Sequence, residues 1–195
     1  MTATSATRLP AFQRFIDELR ALWAAEPAMD KRMVRAKMLM ERLLADDALH
    51  ARAKSWPSTE GHKNLLFYED PDYGFVLNGL VKGPNQATRV HDHAHVWVLY
   101  GVLSGTEEIV NYRRTDDGKV ADKATLELVD RSPVGPGIIQ IVKPWAVHSE
   151  VAREKGSVSV ILRSQKPGGF LQGRYESDGR YWQGKGVQQI PYLLI

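Results

Sequence analysis

Three of the six histidines fall within five positions, in the run Arg89-Val90-His91-Asp92-His93-Ala94-His95-Val96-Trp97. Alternate side chains of an extended strand share a face, so His91 and His93 present two imidazoles a little under about 7 Å apart along the backbone. That is a chelating pair, because side chains lean together to reach one ion at about 2.1 Å. His148, after Pro144-Trp145-Ala146-Val147 and 55 residues beyond His93, offers a third imidazole if intervening strands bring it round. The competing reading is a strand whose histidines are exposed or hydrogen-bonded in a polar interior. Turn features around the pair favour ligation: Gly83 before it, Gly105 after the next strand, and Gly135-Pro136-Gly137 followed by Pro144 before His148. His95 has the same parity as the pair and is a candidate base or alternative ligand, unless a bulge turns it away.

Composition narrows the chemistry. The 195 residues include no cysteine, which excludes thiolate ligands, a thiol nucleophile and disulfides, so a metal must be held by His, Asp or Glu. The 26 Lys and Arg against 23 Asp and Glu are spread along the chain and give a formal charge of +3, which supports no nucleic-acid partner. No apolar run approaches the length of a membrane span. The start, Met1 to Phe15, lacks a basic segment followed by an apolar run, so the expectation is a cytoplasmic protein with no membrane partner.

The elements that must position these groups follow from periodicity. Residues 11–25 place Phe12, Phe15, Ile16, Leu19, Leu22 and Trp23 on one helical face, and Asp30 to Leu44 does the same with Met33, Ala36, Met40, Leu43 and Leu44. A short helix over Asp46 to Lys54 stops before Trp56-Pro57. From Asn64 the texture changes to short β-branched and aromatic runs. Strands are predicted at Asn64–Tyr68, Gly74–Val81, Thr88–His93, Val96–Leu103, Thr106–Tyr112, Ala124–Val129, Gly137–Val142, His148–Val151 and Ser157–Leu162, with a hairpin around Ser177-Asp178-Gly179. Many evenly spaced strands without alternating helices predict an antiparallel sandwich or barrel. The helical segment, residues 1–56, is too short for a comfortable core of its own and packs against the barrel of residues 63–195, as one domain.

The run from Gly83 through Thr88-Arg89-Val90 to His91 and His93, with Gly105 twelve positions on and a distant His148, resembles the cupin superfamily of double-stranded β-helix barrels. The match is closer to the cysteine dioxygenase family, whose members are similar in their His-x-His motif, their lack of a Glu ligand, their distant third His and their N-terminal helices. The resemblance implies a mainly β chain, an antiparallel double-stranded β-helix with the N-terminal α-helices packed outside. It also implies a metal site of His91, His93 and His148, with Fe(II) the expected ion and Zn, Mn or Ni as alternatives. The usual cupin Glu position falls on Trp97 or Val98. The family's Ser, His and Tyr after the third ligand fall on Ser159, Ile161 and Arg163, its crosslinking Cys on Val98, and its carboxylate-binding Arg on Lys63.

Three neutral imidazoles leave a divalent ion its full charge and open positions on one side, which suits an anionic ligand beside O2. If Ser159 points inward, Arg163 shares its parity and either clamps a substrate carboxylate or snorkels to water from a strand end. Lys63, beside His62, is a second candidate anchor. Trp97 and Tyr100 are candidate pocket walls, Asp92 a structural hydrogen-bonding residue, and Glu150 a residue that could reach inward. The expected partners are a small anionic thiol or carboxylate substrate and O2, acting on a monomer or homodimer. The leading function is Fe(II)- and O2-dependent oxidation. The alternatives are a metal-dependent isomerase or hydrolase, and a non-catalytic cupin that binds a small ligand.

Overall fold

A computed structural model describes residues 8–195; the first seven, which belong to the reading of the chain start, lie outside the described residues. Helices α1 (Pro10–Ala25) and α2 (Met29–Leu44) bury the same eleven apolar residues that their periodicity selects. Helix α3 (Asp47–Ala53) begins one residue late because the Asp46 side chain accepts the Leu49 amide at 2.9 Å and so serves as its N-cap. Among the described residues no helix is long and apolar enough to cross a membrane.

Among the described residues ten strands follow: β1 (Lys63–Glu69), β2 (Val76–Lys82), β3 (Val90–His91), β4 (Val98–Arg114), β5 (Leu126–Val134), β6 (Ile139–Val142), β7 (Val147–Arg163), β8 (Leu171–Tyr175), β9 (Tyr181–Lys185) and β10 (Gln188–Pro191). The frame is the antiparallel pair of β4 and β7, each 17 residues long. One half of this pair is flanked by β6 and β2, and β2 leads to β1 and β10; the other half is flanked by β5 and β3, and β3 leads to β8 and β9. Bending the shared pair folds the sheet into two layers, which makes an antiparallel double-stranded β-helix. Outward residues of the first layer, including Leu99, Val160 and Leu162, join the helices in one core. Val98, Tyr100, Val102 and Ile161 face the interior. Gly101 lets α2 come close, since a Cβ there would meet Leu44 Cδ1 at 2.7 Å.

Several predicted boundaries are corrected. The strands expected at Val96–Leu103 and Thr106–Tyr112 are one strand, β4, as are His148–Val151 and Ser157–Leu162 in β7. Gly105 and Gly156 adopt φ of +75° and +72°, so the chain bends without leaving the ladder. The strand expected at Thr88–His93 contracts to Val90–His91, because Ala94 turns the chain with φ +50°. Strand β10 was not predicted; it pairs parallel with β1, from Lys63 opposite Gln188 onward, a contact remote in sequence.

Candidate metal centre

His91 on β3 and His148 on β7 are direct ladder partners. His93 lies just beyond β3 in chain still extended enough to keep it on the side of His91. The turn after it is pinned from two directions. Asp92 faces away and accepts the amides of Ala94 (2.8 Å) and Gly173 (3.1 Å) and the Tyr175 hydroxyl (2.8 Å), and the Trp145 amide donates to Ala94 O at 2.7 Å. Asp92 is thereby the structural residue its parity predicted. The three rings stand with centroids 4.5 to 5.1 Å apart, and one ligand atom from each lies within 4.8 Å of the others.

Burial first, and then the neighbouring His148, pull the His91 imidazole down to about 3; burial likewise takes His93 well below its ordinary range. Both are therefore neutral and available as ligands. Nδ1 of His91 lies 2.8 Å from Arg89 O, and Nδ1 of His148 lies 3.0 Å from Ala146 O. A carbonyl only accepts, so both Nδ1 atoms carry a proton; the neutral His91 ring then presents a lone pair on Nε2, and His148 does the same whenever its ring is neutral. Gln172 Nε2 donates to Nδ1 of His93 at 3.1 Å, while its Oε1 accepts from Arg174 Nη2 at 2.9 Å, so His93 meets the cavity through Nε2 with Nδ1 held by this amide. His148 Nε2 is buried and makes no hydrogen bond. A buried lone pair without a donor, beside two further imidazoles, suits a divalent ion.

The cluster lines a cavity of about 450 Å³. Its walls include six basic residues, Lys63, Lys82, Arg89, Arg163, Arg174 and Lys185, against one acid, Glu150. Arg163 is only 6% exposed. Its Nη1 donates to Asn78 Oδ1 at 2.5 Å, and with the Asn64 amide turned over that oxygen accepts from both Nη atoms at 3.0 and 3.1 Å. Its Nε has no partner, and among the described residues no carboxylate lies within ion-pairing distance. Burial lowers the guanidinium to about 10, still charged at neutral pH and without a counter-ion.

The remaining candidates separate. Lys63 opens β1 at the cavity rim, exposed to water. His95 is excluded from the cluster: the Ala94 turn sends it outward, where Nε2 meets Gln165 Oε1 at 2.9 Å and the ring packs on Phe170. Ser159 is fully buried but does not line the cavity, because its hydroxyl donates to Glu107 Oε1 at 2.8 Å. Trp97 faces the helices, while Tyr100 lines the cavity.

Sequence reasoning missed Lys82 and Glu107, which form a buried ion pair at 2.7 Å. Tyr100 completes it, its hydroxyl 2.8 Å from both Glu107 oxygens and 3.0 Å from Lys82 Nζ. A Lys before Gly83 and a Glu in Thr106-Glu107-Glu108 look like solvated strand ends; only inward parity on β2 and β4, the two strands that flank β7, would have marked them. Glu150 is buried and Oε1 lies 3.3 Å from His148 Nε2, without the alignment of a hydrogen bond. Burial would raise its carboxyl, but the charges of Lys82 and His148 hold it well below the usual carboxylate range.

No family model matches the chain. Among solved structures it is similar to a conserved protein with a double-stranded beta-helix domain from Klebsiella pneumoniae, at 14% identity and TM-score 0.42, over 68% of this chain and 93% of that one. It is similar to the Cnp3 cupin domain of Schizosaccharomyces pombe at 10% identity and TM-score 0.41, over 53% and 64%. A third is Peruvianin-I, a cysteine peptidase from Thevetia peruviana latex, at 20% identity and TM-score 0.36, over 46% and 49%. The chain spans about half the length of Peruvianin-I and under two thirds of the Cnp3 domain. By its strand pairing the chain is a double-stranded β-helix, the cupin architecture, with three histidines at its centre that can hold one metal ion.

Proposed function

We propose that this protein is a metal-dependent enzyme that oxidises a small carboxylate-bearing substrate, thiol-containing ones first among them, with Fe(II) on His91, His93 and His148 and O2 as co-substrate. The observation that carries this reading is the buried Arg163 guanidinium, without an acidic partner, in the same cavity as the three imidazoles. A buried cation held only by amide oxygens favours an anionic guest, and a planar fork matches a carboxylate. The likeness of the His-x-His, Gly105 and His148 pattern to the cysteine dioxygenase family supports iron and oxygen as the pairing.

When bound, Fe(II) would supply positions for a substrate donor and for dioxygen together. The chain's own residues do the rest. Arg163 orients the carboxylate, Val98 and Ile161 exclude water from one wall, and Tyr100 keeps its proton, because burial and Glu107 raise its phenol well above its ordinary value. The Tyr100-Lys82-Glu107 group also favours a second reading, an isomerase or hydrolase that moves protons on a substrate activated by Zn or Mn.

The deciding experiment is anaerobic loading with Fe(II), followed by oxygen uptake with mercapto- and hydroxycarboxylates. Uptake that requires a carboxylate on the substrate and yields an oxygenated product is the expected result. Full iron occupancy without uptake, together with oxygen-independent turnover by the Zn or Mn form, would replace it with the second reading.

A further inference from the structure

We propose that the substrate carries two acidic groups: a carboxylate on Arg163 and a second oxyanion held by Arg174 and Arg89 on the other layer of the barrel. The inference rests on the proposed reading of this cavity and names its substrate class. Five of the six basic residues in the cavity wall, all but Lys82, have no acid within ion-pairing distance among the described residues. One carboxylate on Arg163 leaves the others uncompensated. Arg163 ends β7 in the layer that holds β2, whereas Arg174 lies on β8 in the layer that holds β3.

Register builds the second site beside the histidines. Arg174 is the ladder partner of His91, so the two side chains leave the same face of the sheet. Arg89 precedes His91 by two residues and shares its side; the side chain is exposed at the cavity mouth and has no ion pair among the described residues. Arg174 is fixed by neutral oxygens: Nη1 donates to Gly173 O at 3.2 Å and Nη2 to Gln172 Oε1 at 2.9 Å. A guanidinium has five N–H groups, so three remain for a guest. Burial lowers Arg174 below its ordinary value and the like charge of Arg89 adds to this, against the pull of Asp92. Asp92 makes no ion pair, because two amides and Tyr175 occupy its oxygens. Two like charges converging on one wall, with donors unspent, favour an oxyanion between them.

Calorimetry on the Fe(II)-loaded full chain without oxygen tests this. The probes are 3-mercaptopropionate against mercaptosuccinate, the same acid bearing one more carboxylate, and propionate against succinate and 3-phosphonopropionate. In the thiol pair, and for at least one oxyanion of the thiol-free set, the dianion is expected to bind about 10-fold or more tightly than its monoacid, as a hydrogen bond to a charged group provides. Arg89→Gln and Arg174→Gln should each reduce that ratio, whereas Arg163→Ala should weaken monoacid and dianion alike. Arg89 is exposed, so Arg89→Gln carries the test if Arg174→Gln fails to fold or to hold iron. Equal affinity for monoacid and dianion, or a ratio unchanged in every Arg89 and Arg174 variant that folds, overturns the second subsite and leaves the Arg163 reading standing. A dianion preference that depends on Arg89 and Arg174, in a protein that takes up no oxygen with any thiol, keeps the subsite and removes the oxidation.

Discussion

A guanidinium buried among amide oxygens is the residue on which substrate recognition depends. Truncating Arg163 to Ala should weaken binding of a carboxylate-bearing ligand by about 1.5 to 3 kcal/mol, the range for a hydrogen bond to a charged group, while metal content stays the same. Arg163→Lys should recover only part, because an ammonium lacks the two-pronged geometry. Titration calorimetry with a mercaptocarboxylate, alongside metal analysis, reads both quantities, and unaltered affinity in the Ala variant would return Arg163 to a structural role. His91→Ala, His93→Ala and His148→Ala should each lose most of the bound metal yet keep the β circular dichroism of the parent, since each ring contributes one bond and little of the core. Full metal retention in one of them would remove that residue. His91 and His93 were legible because a two-residue period survives even where the strand is short. His95 shares that parity in the sequence, but one left-handed residue, Ala94, is the irregularity that turns it away. Ser159 points inward as expected, and only the packing shows that a carboxylate from β4 takes its hydroxyl.

Among the elements, the bent pair of β4 and β7 decides what meets in the cavity. At the bend, Arg153 to Gly156 stand opposite the single residue Thr106, an excess of three. An odd excess reverses the alternation, so even-numbered His148 and Glu150 face inward before it and odd-numbered Ile161 and Arg163 after it. Reading two separate strands hid this phase change, though it left the relative parity of Ser159, Ile161 and Arg163 intact. Gly105 sits at the centre of the bend, where a Cβ would lie 2.1 Å from Gly156 O. Gly105→Ala is therefore expected to cost about 3 kcal/mol or more, combining a left-handed residue with a backbone clash. Urea unfolding of the metal-free protein measures it; a midpoint equal to that of the parent would mean the bend relaxes freely. The helices were the most legible elements, because an amphipathic face is written locally, whereas β10 depends on a partner more than a hundred residues away.

For the whole molecule, the crowding of buried imidazoles links stability to pH. His91 has a folded value of about 3 against an ordinary 6.5. Between these limits the unfolded chain binds a proton that the folded one refuses, so this contribution is complete above pH 6.5 and is lost progressively as pH falls towards 3. His93 and Glu150 shift in the same direction. His148 opposes them: burial works against its charge, but Glu150 raises it, so its contribution is present at low pH and fades as pH rises. The metal-free protein should therefore lose stability between pH 6.5 and 4.5, seen as a falling denaturant midpoint, and a flat profile would contradict the burial of these rings. Metal should add to stability as it binds, by about 2.7 kcal/mol at a free concentration one hundred times Kd, and a chelator should reverse the gain. Residue order alone determined the helix faces, the β-rich barrel and a chelating pair at His91 and His93, because periods of 3.6 and 2 and the chemistry of imidazole are local properties. Only the folded chain decided that His148 joins them, that Arg163 is buried without an acid, that Ser159 and Lys82 are spent on Glu107, and that Glu150 is buried against His148. Those outcomes depend on ladder register and on bends at two glycines, where one residue more or fewer reverses what faces the cavity.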